Sequence, residues 1–358
     1  MAGELGIKWK NEDAPAYKIN ADNLHQIHPD INTLYTKFLL TGSTSRKHLQ
    51  VQPNTAVKII NGSTHKVFQT ESDAVELSAE ANLDTGTALA PGKDYYVYVC
   101  DEADGTASVV VSLNSTYPNG YSEDSSRKIG GFHTLCADVG TISGHDLSGY
   151  VAGDILPASV WCLTHRPECE PEGMVWSEKA KIWVDIYMQS GVGENTASAY
   201  GATMTDSRTW LDFVDDLAAV GKTLLHDPEF QVIAAGSNEE TNIVGSSDPG
   251  TTGGHTDTAG RRMISDIGCE DCCGVMYQWL VDQSYRGDGT WSYGWTDLPG
   301  DKGSLNSQGA YGDAKLRAGG LWNAATVCGS RCRNAINYRW DAPAFIGGRG
   351  RARSQGAR

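Results

Sequence analysis

The sequence lacks the features that would place the protein in a membrane or on nucleic acid. No apolar run reaches the roughly 20 residues that a membrane-spanning helix needs, and the N-terminal stretch MAGELGIKWKNEDAP lacks the apolar core of a signal peptide. We therefore expect synthesis and folding in a cytoplasm, without membrane insertion. The net charge of −15 also argues against general nucleic-acid binding, which requires a basic surface.

Charged residues are sparse, at 20% of the 358 residues, and the six Phe are outnumbered by ten Trp and fifteen Tyr. Aromatic rings that carry a polar atom are typical of loop-rich β structure and of binding surfaces. The nine cysteines are an odd number in a chain without a secretory signal, so most are expected to be reduced, buried thiols. Disulfides stay open as an alternative for a protein that works outside the cell.

The length and the changes in pattern indicate three segments. Residues 1–47 are poor in apolar residues and too few for an independent core, so they are expected to need partners or oligomerisation. Residues 48–172 contain alternating stretches such as HLQVQPNTAVKIING and DYYVYVC between turn-rich loops, which predicts a β-sandwich. The polar stretch PECEPEG is the predicted linker to residues 173–358.

Two helices are predicted near the start of the last segment. DSRTWLDFVDDLAAVGK has apolar residues at helical spacing, with Asp206 or Ser207 as its N-terminal cap and Gly221 at its end. HDPEFQVIAAG predicts a shorter helix with Asp227 as the cap and Pro228 in the first turn. The remainder is rich in Gly and Trp without a regular period, and so much loop in a compact domain indicates a binding function.

The window from Gly319 to Gly350 reads GGLWNAATVCGSRCRNAINYRWDAPAFIGGRG and contains no Lys, Glu, Gln or Met. Its residues follow neither a helical nor a strand period, so a simple packing element does not account for it. A flexible linker would not carry so many aromatic residues. The window therefore suggests a rigid platform that displays a set of interchangeable side chains.

The order of motifs in the last segment resembles a known fold. A helix with Trp and Phe is followed by TLLHDPEFQVIAAG, by CCGVMYQWL and by GGLW…GSRCR…YRW…IGGRG. This order is similar to the C-type lectin fold of the formylglycine-generating-enzyme type and, within it, to the variable proteins of diversity-generating retroelements. The chain departs from the frame of that group at Gly348, where the group has alanine. The scaffold positions that match the frame are Gly319, Gly320, Trp322, Gly329, Ser330, Arg331, Trp340, Ile346, Gly347, Arg349 and Gly350.

The resemblance implies a multidomain β and α+β protein: an N-terminal tail-fibre-like β-prism and β-sandwich, then a C-type lectin-like variable domain at 173–358. Retroelement copying replaces adenines, and the resulting codons do not reach Lys, Glu, Gln or Met, in agreement with the composition of the window. The positions that match variable ones are expected to form a ligand-binding face. They are Leu321, Asn323, Ala324, Val327, Asn334, Ala335, Asn337, Tyr338, Asp341, Ala342, Ala344 and Phe345.

The resemblance further implies a receptor-binding, tropism-determining protein at the tip of a phage tail fibre or baseplate, present in the virion as a homotrimer. Its partners would be a host cell-surface receptor, protein or glycan, and other tail or baseplate proteins. Recognition would need no enzyme chemistry and no cofactor. A cell-surface adhesin with the same variable domain is an alternative, which the missing signal peptide disfavours.

Cys328 and Cys332 support a different hypothesis, a copper-dependent oxidase. Formylglycine-generating enzymes hold copper with a reactive cysteine pair in this same final segment. Here the pair flanks Gly-Ser-Arg at a spacing narrower than in that family. A structural pair, or one bridge that stiffens the loop, is therefore favoured over a metal site.

Three further motifs have weaker support as sites. CEDCC (Cys269, Cys272, Cys273) would need another ligand such as His255 to hold zinc, so buried thiols are favoured. DPGTTGGHTDTAGRR lacks the Lys-Ser/Thr ending of a phosphate loop. GSNEETN and DGTWSYGWTD lack the alternating carboxylates of a calcium loop. Ion pairs with nearby Asp side chains explain a cluster of arginines as well as an anionic receptor does. That cluster comprises Arg331, Arg333, Arg339 and Arg349.

Overall fold

A computed structural model describes residues 39–53, 56–61, 64–69, 73–102, 104, 106–285, 294–300, 303–308 and 313–355. In this part of the chain the protein is mostly β structure with two short α-helices. The segment predicted at 1–47 lies largely outside the described residues. Within the described ranges, no helix is long and apolar enough to cross a membrane.

The first half of the described chain forms small antiparallel sheets. Its strands are β1 (Leu40–Gly42), β2 (His48–Val51), β3 (Ala56–Asn61), β4 (Thr64–Gln69), β5 (Val75–Ser78), β6 (Asp94–Asp101), β7 (Ala107–Ser112), β8 (Ser126–His133) and β9 (Trp161–Cys162). A three-stranded sheet has the order β1-β2-β5, β3 pairs with β4, and a four-stranded sheet has the order β7-β6-β8-β9. The alternating stretches of the sequence therefore form strands, as predicted.

Strand β6 shows why its sequence occupies the middle of a sheet. Alternate side chains of a strand point to opposite faces, and both faces of β6 are buried. Tyr95, Val97 and Val99 pack in one apolar cluster, whereas Tyr96 and Tyr98 pack in a second cluster that includes residues from the second half of the chain. A strand covered on both faces needs an almost continuous apolar run, and DYYVYVC supplies it.

The second half is built on a four-stranded sheet and a six-stranded sheet. Its strands are β10 (Met174–Ser177), β11 (Ile182–Asp185), β12 (Thr223–Leu224), β13 (Tyr277–Tyr285), β14 (Gly294–Asp297), β15 (Ser304–Gln308), β16 (Asp313–Gly319), β17 (Gly329–Tyr338), β18 (Ile346–Gly347) and β19 (Gly350–Ala352). The sheet orders are β10-β11-β19-β12 and β14-β15-β17-β16-β13-β18. Because β19 lies between β11 and β12, the end of the described chain is anchored inside the first of these sheets.

The predicted boundary at 172/173 lies between β9, which ends at Cys162, and β10, which begins at Met174, and the junction is packed on both sides. The backbone N–H of Gly173 donates to the carboxylate of Asp94 across 2.9 Å. One continuous apolar core also joins Leu135 and Leu156 of the first half to Phe230 of the second. The predicted linker is therefore a fixed connection between two halves that share a core.

Both predicted helices are present, with different caps. Helix α1 spans Trp210–Ala219, and its cap is Thr209 rather than Asp206 or Ser207. The Thr209 hydroxyl accepts from the Asp212 N–H at 3.1 Å, and the Asp212 carboxylate accepts from the Thr209 N–H at 2.9 Å. This reciprocal pair satisfies two N–H groups that the helix leaves free. The prediction that Gly221 follows the helix is confirmed, since its φ is +73°.

Helix α2 spans Asp227–Ile233 and is preceded by His226, so the prediction of Asp227 as its cap is wrong. Glu229 performs part of that role, because its carboxylate accepts from the His226 N–H at 2.8 Å. The Asp227 carboxylate is instead committed to Arg333 of β17, at 2.9 Å from its Nε. Asp227 therefore forms an ion pair with a distant strand and does not cap the helix.

The terminal window contains a ten-residue strand, β17, which the absence of a period did not predict. Its pairing with β16 changes register between Lys315 and Arg317 and again between Ala318 and Gly319. Each irregularity shifts which side chains face inward, so the buried positions of β17 do not alternate. Because of these irregularities, the sequence of β17 lacks the alternation of buried and exposed residues that predicts a strand.

A candidate ligand-binding face

The window begins at a glycine pair that only glycine fits. Gly319 and Gly320 have φ values of +93° and +92°, a region that other residues avoid. A Cβ atom at Gly319 would lie 2.2 Å from the carbonyl oxygen of Cys272, and one at Gly320 would lie 2.7 Å from the Cα of Cys328. Gly319 therefore lies tightly against the buried CEDCC segment, and Gly320 lies tightly against Cys328 within the window.

The window ends at an equally fixed point, the side chain of Arg349. Only 1% of this residue is exposed, and its guanidinium donates to the side-chain oxygen of Gln278 at 2.9 Å. It also donates to the backbone carbonyls of Asp185 at 2.8 Å, Ile186 at 2.6 Å and Glu270 at 2.5 Å. Arg349 thus joins three separate segments of the chain. Their oxygens satisfy the buried cation, which has five N–H donors.

Most of the other predicted scaffold residues are also held inside. Ser330 donates its N–H and its hydroxyl to the carboxylate of Glu239, at 3.0 and 2.5 Å. The carbonyl of Trp322, a half-buried residue, accepts from the side chain of Asn242. The remaining scaffold positions that are buried are Gly329, Ile346, Gly347 and Gly350.

Two predicted scaffold residues, Arg331 and Trp340, are exposed instead. Trp340 is 61% exposed, and its ring stacks on Tyr338 with centroids 4.9 Å apart and an interplanar angle of 12°. Arg331 borders a cavity described below. Their place in the frame motif therefore does not reflect a role in the core, and Trp340 adds a large aromatic surface beside the face.

The predicted face residues divide into three classes of exposure. Asn323, Ala342 and Ala344 are exposed. Half-buried positions are Leu321, Ala324, Val327, Asn337, Tyr338, Asp341 and Phe345. Asn334 and Ala335 are buried, at 2% and 0% exposure, and do not contribute surface.

The burial of Asn334 and Ala335 follows from their place in the sheet. Both lie within β17, which has β15 on one side and β16 on the other. The Asn334 side chain turns back on its own strand, where its oxygen accepts from the Ile336 N–H at 3.1 Å. These two positions belong to the support of the face, which corrects the sequence-based assignment.

Asp341 fixes the part of the face around the end of β17. Its Oδ2 accepts from the side-chain amide of Asn337 and from the backbone N–H of Tyr338, both at 2.9 Å. Together with the stack of Tyr338 on Trp340, these bonds hold the turn that follows the strand. The aromatic side chains at this end are therefore positioned before any ligand arrives, which lowers the entropic cost of binding.

Phe345 and Leu321 lie against a second cluster below the face, together with Tyr277 of β13. Arg317 of β16 lies among these rings: its guanidinium carbon is 4.1 Å from the ring centroid of Tyr277 and 5.2 Å from that of Phe345. Burial lowers the pKa of Arg317 to about 10, although Tyr277 and Asp341 oppose that shift. Nothing in the sequence around Arg317 had marked it as a residue of the site.

A cavity of about 510 Å³ lies beside the start of β17 and is mainly polar. Its walls include Glu239, Ser330, Arg331, Cys328 and Cys332. Ala324 and Val327 lie at the short 3-10 turn Ala325–Val327, directly before the strand. This end of the face is thus concave, whereas the end near Trp340 presents aromatic rings.

Cys328 and Cys332 are buried free thiols. Burial raises the pKa of each to about 12, and each S–H donates to a backbone carbonyl, Cys328 to Leu321 at 3.4 Å and Cys332 to Val327. A copper site requires thiolates, which this environment disfavours. The geometry supports the structural role that the spacing had favoured.

The CEDCC cysteines are fully buried in the shared core. His255 does not join them, because its Nδ1 lies 3.0 Å from a carboxylate oxygen of Asp271. In the part of the chain that the structure describes, no three His, Cys, Asp or Glu side chains form a group that could hold a metal ion. Of the predicted arginine ion pairs, that of Arg333 with Asp227 is present.

Comparison with known proteins finds similar proteins that cover both halves of the described chain. Residues 39–162 match a family described as Mtd second domain. The tail fiber receptor-binding protein of Bordetella phage BPP-1 is 29% identical over 310 residues, which cover 79% of this chain and 77% of that protein. Two solved structures, the U1 and M1 variants of the Major Tropism Determinant, superpose with a TM-score of 0.68. Their identities are 27% and 26%, covering 89% of this chain and 84% and 83% of theirs.

Proposed function

We propose that this chain is a phage tropism determinant of the kind it resembles, the receptor-binding protein of a tail fibre. The observation that carries the proposal is the double likeness, in sequence over 310 residues and in fold over 89% of the chain, to phage proteins named for this role. The protein acts in the virion tail and binds a receptor on the host cell.

In finer detail, residues 173–358 form a C-type lectin-like domain whose face is diversified by a retroelement. The support is the division of the window into fixed and displayed side chains. Gly319, Gly320 and Arg349 are locked into the core, whereas Ala342 and Ala344 point into solvent. A frame that tolerates exchange of its outward side chains is what a variable binding protein needs.

The revised face combines aromatic contact area with adaptable polar groups. Tyr338, Trp340 and Phe345 supply rigid rings, and Asn337 and Asp341 supply hydrogen bonds, a mixture typical of binding loops. The exposed Asn323, Ala342 and Ala344 complete it. The receptor is a cell-surface protein or glycan. In a homotrimer organised by residues 1–47, three such faces would raise avidity by roughly two to four orders of magnitude.

Competition for adsorption tests this function. Purified protein, added to host cells before the phage that carries its gene, should block adsorption in a dose-dependent way. A variant with Ala342→Glu and Ala344→Glu should keep its thermal transition but lose this block, because two charges are added on exposed positions. Undiminished adsorption at saturating wild-type protein, or an equally potent double variant, would count against the proposal.

The origin of the face has its own test in the surrounding DNA. A reverse transcriptase gene, together with a near-repeat of the coding segment for 319–350 that differs only at adenines, is expected. Their absence would remove the retroelement from the account and leave receptor binding in place.

A further inference from the structure

Arg317 is a buried cation whose guanidinium is incompletely paired. It lies on β16 with only 3% of its surface exposed, and its Nε and Nη1 atoms are buried with no hydrogen-bond partner in the described part of the chain. Burying a charge without a partner is costly. The rings of Tyr277 and Phe345 on which it lies compensate only in part, because a cation–π contact is weaker than a charge-assisted hydrogen bond.

Two other buried arginines have more oxygen partners than Arg317. Arg349 donates to three backbone carbonyls and one side-chain oxygen. The Nη2 of Arg262 lies 2.6 Å from a carboxylate oxygen of Glu270. The Nε atom of Arg262 is also buried without a partner, but its Nη2 has the carboxylate, whereas Arg317 lacks a partner at both Nε and Nη1 in the described part of the chain.

The guanidinium of Arg317 is covered, and the half-buried ring of Phe345 lies 5.2 Å from its central carbon. Tyr277 is 5% exposed, and the cross-strand partners of Arg317, Trp279 and Asn334, are buried as well. Two further neighbours, Phe345 and Asp341, are half-buried face residues. Asp341 uses its Oδ2 for Asn337 and Tyr338. The Oδ1 atom of Asn337 is also buried without a partner. Buried polar atoms without a partner thus occur on both β16 and β17 in this part of the sheet.

We propose that Arg317 is a fixed anchoring residue of the face and that it takes a carboxylate of the receptor, entering between Phe345 and Asp341. This rests on the proposed receptor-binding function. The planar guanidinium fork matches a carboxylate through two parallel hydrogen bonds, and exclusion of water strengthens them. The negative charge of Asp341 favours a monoanionic carboxylate over a dianionic phosphate. An acidic side chain of a protein or a uronic acid of a glycan carries the same group.

Because Arg317 precedes the window 319–350, it stays constant when the window varies. One constant anchor would fix the orientation of the receptor, and the surrounding variable side chains would then select among receptors. Phe345 acts as a cover: a smaller residue there would open the guanidinium to the ligand.

Calorimetric titration with small carboxylates tests the anchor without any host cell. The probes are N-acetylaspartate α-amide and methyl glucuronide, and their neutral counterparts are N-acetylasparagine amide and methyl glucoside, all at constant ionic strength in chloride. We expect the carboxylates to bind and the neutral compounds not to bind. Phe345→Ala should tighten binding, and Arg317→Gln should weaken it by about tenfold or more.

Arg353→Gln is the matched control, because it removes the same charge from an exposed position, and it should bind like the wild type. Binding that survives Arg317→Gln, or no preference for carboxylates in both the wild type and Phe345→Ala, would overturn the proposal. If Arg317→Gln does not fold, the preference for carboxylates over neutral probes, measured in the wild type and in Phe345→Ala, decides alone. The tighter of the two probes indicates whether the receptor is a protein or a glycan. Adsorption that fails while the probes still bind would count against the proposed function and not against the anchor.

Discussion

Arg349 tests the rigid frame quantitatively, through the variant Arg349→Met. The substitution removes hydrogen bonds to one side chain and three backbone carbonyls in a site with 1% exposure. Leaving buried acceptors unpaired costs about 1–3 kcal/mol each, although relaxation and water entry recover part of it. We therefore expect a loss of about 3–5 kcal/mol, the range for breaking a buried charged network.

A domain of this size loses roughly 2–4 °C in Tm per kcal/mol, so Arg349→Met should melt roughly 6–20 °C lower than the wild type. Thermal unfolding followed by circular dichroism measures this. Arg353→Met is the control, because Arg353 lies four positions away and is exposed, and a surface change of this kind stays within about 0.5 kcal/mol. Equal melting of both variants would refute the reasoning that Arg349 ties the end of the window to the core.

Three further predictions concern the cap of α1, the buried thiols of the window and the pair of His255 with Asp271. Thr209→Ala removes the capping hydroxyl of α1 and should cost about 1 kcal/mol in chemical denaturation, whereas Thr209→Ser should restore most of it. Cys328 and Cys332 should resist an aromatic disulfide reagent at pH 8 until the protein unfolds, since burial raises the pKa of both thiols to about 12; rapid labelling of the folded protein would contradict this. Burial alone would lower the pKa of His255, but the hydrogen bond and charge of Asp271 outweigh it and raise that pKa. The pair of His255 with Asp271 therefore stabilises the folded protein fully below the unfolded pKa of about 6.5, and this stabilisation is lost as the pH rises through the folded pKa. His255→Gln should flatten this part of the curve of unfolding free energy against pH. An unchanged curve would show that the pair does not contribute.

The sequence predicted the elements that rest on a simple period. The alternation in residues 48–51 and the nearly continuous apolar run at 94–101 both correspond to strands, and the spacing of apolar residues in 210–220 corresponds to α1. Local caps were less predictable, because Asp227 pairs with Arg333 from a distant strand. Nothing in the sequence near position 227 predicts that Arg333 is its partner.

The sequence indicated which segment carries the candidate face, but not which of its residues are exposed. The composition of the window and its frame indicated a displayed face, but the bulges of β17 decide which residues point outward. Asn334 of β17 is buried and Trp340, in the turn after that strand, is exposed, contrary to what residue type and motif position suggested. Arg317 was missed because its significance lies in the absence of a partner, which only tertiary contacts reveal.

The most direct measurement is a substitution scan of residues 319–350 with two simultaneous readouts, resistance to protease as a measure of folding and binding to host cells. We predict that most changes at Asn323, Ala342 and Ala344 keep the fold and alter binding, whereas changes at Gly319 and Arg349 lower the resistance to protease. If substitutions at the first three positions unfold the protein, or if they all fold and none affects binding, the central claim of a stiff frame that displays exchangeable receptor contacts is wrong.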